Sequence, residues 1–198
     1  MVDVVRAKAA AAGAADQVRA IVSSAETLAV DPEYFDLAVI GNAFHRLDRD
    51  LVAGRVFEWL KPGGYLALCW SLGPWNGDAD WQRALAAILD KWQAALGAQD
   101  RIPANWDAPR KARPDAQVLA EAGFEVLVKH RQFLVEHHWT LAEIGGLVRS
   151  TSFLSTAVLG DRSAEFDADL AASVGQYRQD GVFSQTVSFA CDLARRPG

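Results

Sequence analysis

The 198-residue chain contains little cysteine, no cluster of basic residues and no long apolar run. Its two cysteines, Cys69 and Cys191, form neither a disulfide framework nor a CxxC pair, which favours a reducing, cytoplasmic environment. A net charge of −5 without any basic run argues against nucleic acid as a partner. No apolar run approaches the roughly 20 residues of a membrane-spanning helix, and the N-terminus lacks a signal-peptide profile, so we expect no membrane partner.

The sequence also lacks the commonest motifs of hydrolases, nucleotide-binding proteins and zinc proteases. It contains no GxSxG, P-loop or HExxH sequence. His137 and His138 are adjacent, so on a strand their side chains would point to opposite faces and would not bind one metal together. We therefore predict no metal site.

Residues 35–71 are the segment around which the rest of the chain is organised. The almost continuously apolar run from Phe35 to Ile40 is typical of a buried parallel strand. Asp48 is placed to cap a helix that runs to Leu60, and Lys61-Pro62-Gly63-Gly64 predicts a sharp turn before a second strand. This pattern predicts a strand–helix–strand unit with a right-handed crossover.

The two linked motifs FDLAVIGNAFHRLDR and LKPGGYLAL resemble the middle of class I S-adenosylmethionine-dependent methyltransferases of the small-molecule type. The resemblance implies an α/β, Rossmann-like, mostly parallel sheet with helices on both faces and an antiparallel last strand. It also implies one methyltransferase-like domain over residues 1–198, S-adenosylmethionine as cofactor, and a small, apolar acceptor that is methylated on oxygen, nitrogen or carbon.

Further elements are predicted from hydrophobic periodicity and from capping and turn residues. We expect helices over residues 1–15 (ended by Gly13), 80–96, 114–122, 139–149 and 163–180, and strands over 17–22, 124–136 and 183–193. Trp81, Trp92 and Trp106 are expected either to pack in the core or to form a lid over a pocket.

The chain departs from the family pattern at its N-terminus. The first two strands, the glycine-rich loop and the acidic residue that contacts the ribose are not found before the first helix, so we expect an N-terminally truncated sheet and weak cofactor binding. The strand at Phe35–Ile40 would then have an exposed edge, covered by the 17–22 strand, by a second copy in a homodimer or by another partner. The alternative function is a non-catalytic methyltransferase-like subunit, or a truncated remnant, that acts by association.

The resemblance also indicates the site residues. Ser24 and Ala25 would lie against the adenine, and Gly41, Asn42, Ala43 and Phe44 would line the cofactor site. Asn42, Ala43 and Phe44 would equally serve as strand-end packing. His45 would act as a general base or orient an acceptor hydroxyl, although a loop histidine that only binds its surroundings is the commoner case.

Overall fold

The computed structural model describes residues 2–101 and 108–198, so the expected contribution of Trp106 lies outside the described residues. Within these ranges the chain forms eight α-helices: α1 (Val2–Ala11), α2 (Arg49–Trp59), α3 (Asp80–Ala95), α4 (Ala108–Ala112), α5 (Asp115–Glu121), α6 (Leu141–Arg149), α7 (Thr156–Leu159) and α8 (Ser163–Val174). Four strands accompany them: β1 (Phe35–Gly41), β2 (Leu60–Ser71), β3 (Glu125–Trp139) and β4 (Phe183–Arg195).

The β1–α2–β2 unit forms as the sequence predicts, but the expected burial of its first strand is wrong: β1 has no buried residue, because it lies at the edge of the described sheet. The Asp48 side chain accepts a hydrogen bond from the Leu51 N–H at 3.1 Å and so caps α2. The predicted turn at Lys61-Pro62-Gly63-Gly64 is instead an irregular stretch inside β2, because Leu60 already pairs with Phe35 and Tyr65 pairs with Leu37. Within it Gly63 has a φ of +81°, which is readily accessible only to glycine. A Cβ on Gly64 would lie 2.9 Å from the carbonyl oxygen of Lys61 and 3.2 Å from that of Asp36. The two glycines are therefore required for this irregular stretch of β2 and for the close approach of β2 to β1.

The described strands form one mixed sheet in the order β1-β2-β4-β3. β1 and β2 are parallel, with Val39 opposite Ala67, whereas β4 runs antiparallel to both β2 and β3. The predicted antiparallel last strand is confirmed, and so is the α/β, Rossmann-like class. Only one of the three strand pairs is parallel, so the described sheet is mixed rather than mostly parallel.

Two hydrophobic clusters cover different parts of the sheet. The first, which we call the sheet core, contains Phe44, Val52, Ala53, Val56, Trp59, Leu60, Leu66, Leu68, Val118, Leu119, Phe124 and Ala194. The second, the helical core, contains Trp81, Leu85, Ile88, Leu89, Trp92, Ile144, Val148, Phe153, Leu154, Leu159, Phe166, Leu170, Val174 and Phe183. Phe183 and Ala194 are an odd number of residues apart on β4, so their side chains point to opposite faces of the strand. β4 therefore contributes one face to each cluster.

The tryptophans of α3 belong to the helical core. Trp81 and Trp92 are 6% and 2% exposed, and the Trp92 ring packs edge-on against Phe166 with centroids 5.5 Å apart. This burial supports the core interpretation over a lid for both residues. The predicted capping box at the start of α6 is also present, because the Thr140 side chain accepts from the Glu143 N–H and the Glu143 carboxylate accepts from the Thr140 N–H.

The strand predicted over residues 17–22 is wrong. Residues 15–17 form a single 3₁₀ turn and residues 18–24 have no regular structure, with Val22 82% exposed. Since a strand is stabilised by hydrogen bonds to a neighbour, the short apolar segment does not form one without a partner. It does not move beside β1, so Leu37 and Val39 on that strand remain 53% and 60% exposed.

Several boundaries also differ from the predictions. α8 ends at Val174 rather than at 180, and β3 extends to Trp139 because it pairs with β4 along its whole second half. None of the helices in the described residues is long and apolar enough to cross a bilayer.

Candidate functional site

Asn42 joins the carboxyl ends of the two parallel strands. Its N–H donates to the Cys69 carbonyl oxygen at 2.8 Å, and its side-chain oxygen accepts from the Ser71 N–H at 3.0 Å. The residue has a φ of 51°, which turns the chain away from the sheet at the end of β1. The preceding Gly41 is exposed, and a Cβ there would meet no atom within 4 Å. This strand end is therefore open, in the position where α/β sheets bind ligands.

A short 3₁₀ turn, Phe44–Arg46, follows directly after Ala43 and contains Phe44 and His45. Phe44 is 4% exposed and belongs to the sheet core, so its ring anchors the turn. Burial lowers the pKa of His45 below its usual value, and the positive charges of Arg46 and Arg110 lower it further, against a smaller opposing effect of Asp115. The His45 imidazole is consequently neutral at physiological pH and has one ring nitrogen able to accept a proton.

A buried ion-pair network supports this turn from the side of α5. Asp115 is 5% exposed and binds Arg49 at 2.9 Å and Arg110 at 2.7 Å. The Arg110 guanidinium also lies over the Trp70 ring, 4.8 Å from its centroid. Through Arg110 the network connects α4 and α5 to the end of β2, next to His45.

Ser24 and Ala25 lie in a turn that packs beside α2. Ser24 shares a hydrogen bond of 2.7 Å with the Thr27 hydroxyl, and Ala25 contacts the sheet core. The Glu26 carboxylate accepts from the Asp48 N–H at 3.3 Å, which brings this turn to the start of α2, three residues after His45. Gly41 to His45 thus form one continuous segment, whereas Ser24 and Ala25 approach it through Glu26.

A loop from the helical core reaches the same region. Arg46 donates to the Ser152 hydroxyl at 3.2 Å, and Arg101 donates to the Ser152 carbonyl oxygen at 3.4 Å. The next residue, Phe153, packs edge-on against Trp75 with ring centroids 5.6 Å apart. These two aromatic residues line a cavity of about 520 Å³ together with Ala86, Leu89, Asp90, Gln93 and Gln99.

A second cavity, of about 580 Å³, lies between residues 78–81 and 176–179 and contains none of the predicted site residues. No group of three or more histidine, cysteine, aspartate or glutamate residues in the described ranges is arranged to hold a metal ion.

Sequence reasoning missed the residues that surround His45. Arg110 and Asp115 follow His45 by more than 60 positions, and no local motif marks them as partners. Arg46 and Arg101 are likewise brought together only by their shared contact with Ser152. Three basic residues over 110–113 and the acidic Asp115 indicate that ion pairs can form in this segment, but they do not identify the partners.

The N-terminal third of the chain, residues 1–68, matches a family model described as a methyltransferase domain. The match ends inside β2 and thus includes Ser24, Ala25 and the whole segment from Gly41 to His45. A search of curated proteins finds no matching sequence.

Solved structures share the fold at low identity. A protein from Bacillus halodurans described as a methyltransferase is 18% identical, with a TM-score of 0.50 over 100% of this chain and 79% of that protein. The YcgJ protein from Bacillus subtilis is 16% identical, with a TM-score of 0.50 and the same coverage of 100% and 79%. A protein from Anaeromyxobacter dehalogenans described as a type II methyltransferase is 15% identical, with a TM-score of 0.50 over 88% of this chain and 69% of that protein. The family match confirms the resemblance to methyltransferases for residues 1–68, and the solved structures show that the fold is shared.

Proposed function

We propose that this protein transfers a methyl group from S-adenosylmethionine to a small molecule with an apolar body, acting as a single domain in the cytoplasm. The observation that carries this proposal is the match of residues 1–68 to the methyltransferase-domain model, which coincides with the open strand ends at Gly41 and Asn42. In an open α/β sheet these strand ends are where a ligand binds.

The residues present fit one side of the cofactor. Gly41 leaves open space beside the sheet, Asn42 and Ala43 present the backbone, and the buried ring of Phe44 holds the turn in place. Ser24 and Ala25 would contribute the adenine side of the site. When bound, S-adenosylmethionine supplies the electrophilic methyl group, and the protein contributes binding and alignment of the acceptor.

His45 is the proposed catalytic residue. Because its pKa is lowered, the imidazole is neutral at pH 7 and can accept a proton from an acceptor hydroxyl or amine. Asp115 holds Arg110 beside His45, and both Arg46 and Arg110 disfavour the imidazolium. Repulsion by the same positive charges would favour release of any proton that His45 accepts.

Calorimetric titration with S-adenosylmethionine tests the cofactor part of the proposal. Weak binding to the chain is expected, with a dissociation constant of about 100 μM or higher. Gly41→Val should weaken it at least about tenfold by filling the open space, without loss of folding. Gly54→Ala is the matched control, since a Cβ at Gly54 within α2 also meets no atom within 4 Å. Equal affinities of Gly41→Val and the wild type would show that the cofactor does not bind at this strand end.

A second candidate function is that of a non-catalytic methyltransferase-like subunit. The exposure of Leu37 and Val39 on β1 favours it, because an apolar strand with an unpaired edge pairs readily with another chain. In a homodimer with antiparallel β1 strands centred on Ala38, Leu37 of one copy would lie opposite Val39 of the other. Light scattering should then report a dimer that Leu37→Lys dissociates and that Leu134→Lys, at a 68% exposed position of β3, does not. A wild-type monomer would contradict this assembly.

A further inference from the structure

Two arginines meet at Ser152 without an acidic partner. Arg46 lies in the His45 turn and Arg101 follows α3, and their guanidinium groups donate to the hydroxyl and the carbonyl oxygen of the same serine. Within the described ranges, neither arginine forms an ion pair with a carboxylate, although the chain carries an excess of acidic residues.

The arginine pair is joined to an aromatic cavity. Ser152 is followed directly by Phe153, which together with Trp75 and Leu89 lines the cavity of about 520 Å³. Gln99, two residues before Arg101, lies on the same cavity wall. Ala86 completes the apolar lining, and Asp90 and Gln93 add polar groups. A mainly apolar lining with a few polar groups is the usual form of a small-molecule site. Because Arg46 is also adjacent to His45, the cavity and the proposed catalytic residue are linked through the arginine pair.

We propose that the acceptor is an amphiphilic anion, with an aromatic or aliphatic body in the Trp75–Phe153 cavity and a carboxylate or phosphate bound by Arg46 and Arg101. This inference rests on the proposed function, because it specifies the acceptor class for that site. Arginine binds both kinds of anion through paired N–H donors, and each charge-assisted hydrogen bond is stronger than a neutral one. An anion between the two guanidinium groups would replace the contacts with Ser152 and would neutralise charge that the described carboxylates leave unpaired.

The test uses three ligands of similar shape: benzoate, phenyl phosphate and the neutral benzamide. Each is titrated without cofactor into ¹⁵N-labelled protein, and the shift of the Trp75 indole N–H and of the Arg46 and Arg101 Nε–H signals gives the affinity. We expect at least one anion to bind about tenfold more tightly than benzamide. The order of benzoate and phenyl phosphate then distinguishes a carboxylate from a phosphate acceptor.

Variants separate charge recognition from packing in the cavity. Arg46→Gln and Arg101→Gln should each reduce the affinity for the preferred anion about tenfold and leave that for benzamide unchanged. Arg6→Gln, an exposed arginine of α1, is the matched control. Any of three results would overturn the inference. The first is equal affinity for benzoate, phenyl phosphate and benzamide, and the second is an unchanged preference for the anion over benzamide in both variants. The third is the absence of any shift of the Trp75, Arg46 and Arg101 signals at about 20 mM ligand. S-adenosylmethionine binding is measured separately, so a lost anion preference with intact cofactor binding refutes the acceptor class alone. An intact anion preference without cofactor binding refutes methyl transfer by this chain alone instead.

Discussion

Replacing Asp115 by asparagine should strongly destabilise the protein. Asp115 has 4% of its side chain exposed and accepts hydrogen bonds from Arg49 and Arg110, whose side chains are 12% and 25% exposed. Asparagine preserves the shape and one acceptor oxygen but removes the negative charge. Two largely buried guanidinium groups would then lose their only shared carboxylate among the described residues.

The expected loss is about 3 kcal/mol of unfolding free energy. Removing one partner of a buried ion pair costs roughly 3–5 kcal/mol, and the retained acceptor oxygen and the partial exposure of Arg110 place this case at the lower end. For a domain of this size the melting temperature should fall by roughly 6–12 °C. Asp50→Asn is the control, because the Asp50–Arg113 pair has 64% of its carboxylate side chain exposed and such pairs contribute about 0–1 kcal/mol.

Urea denaturation followed by circular dichroism measures both variants, with the slope of unfolding free energy against urea checked for constancy. A loss of less than about 1 kcal/mol in Asp115→Asn, equal to that of Asp50→Asn, would refute the reasoning. It would mean that the arginines are hydrated or re-paired once the charge is removed. A further check is the pKa of His45, which should fall in Asp115→Asn because the nearby carboxylate raises it.

Two further predictions concern His45 and the glycine positions Gly64 in β2 and Gly54 in α2. The pKa of His45 is lower in the folded state than in the unfolded state, so the unfolded state binds more protons as the pH falls below about 6.5. Acidification from about pH 7 to pH 5 should therefore destabilise the wild type more than His45→Gln. Urea titrations at the two pH values measure this difference. An NMR titration should also show a higher His45 pKa in Arg46→Gln, and an unchanged value would contradict the proposed charge effect. Gly64→Ala should cost more than about 1 kcal/mol, because its Cβ would lie 2.9 Å from a backbone oxygen that has no room to move. Gly54→Ala, in an open helical position, should instead stabilise α2 by roughly 0.5–1 kcal/mol, and the same sign for both variants in thermal melts would argue against this packing.

Features with a local physical cause could be predicted from the sequence. The Asp48 cap, the positive φ of Gly63 and the Thr140–Glu143 capping box each depend on a few neighbouring residues, and the structure contains all three. The apolar stripe of α3 is equally local, because a period of 3.6 residues places its tryptophans on one face. The same local motifs carry the family resemblance, since the segment from Phe35 to Ile40 and the glycine pair Gly63-Gly64 lie within one strand–helix–strand unit.

The tertiary structure decided what depends on a distant partner. Residues 17–22 have the composition of a strand but no neighbouring backbone to pair with, and they remain irregular. Asp115 becomes a shared partner of Arg49 and Arg110 only because α5 packs against α2 near the end of β2. Arg46 and Arg101 meet at Ser152 because the helical core brings its loop to the His45 turn. Sequence determines local geometry through sterics and capping, whereas ion pairs and strand partners are chosen by long-range packing, which a single sequence does not encode in any local pattern.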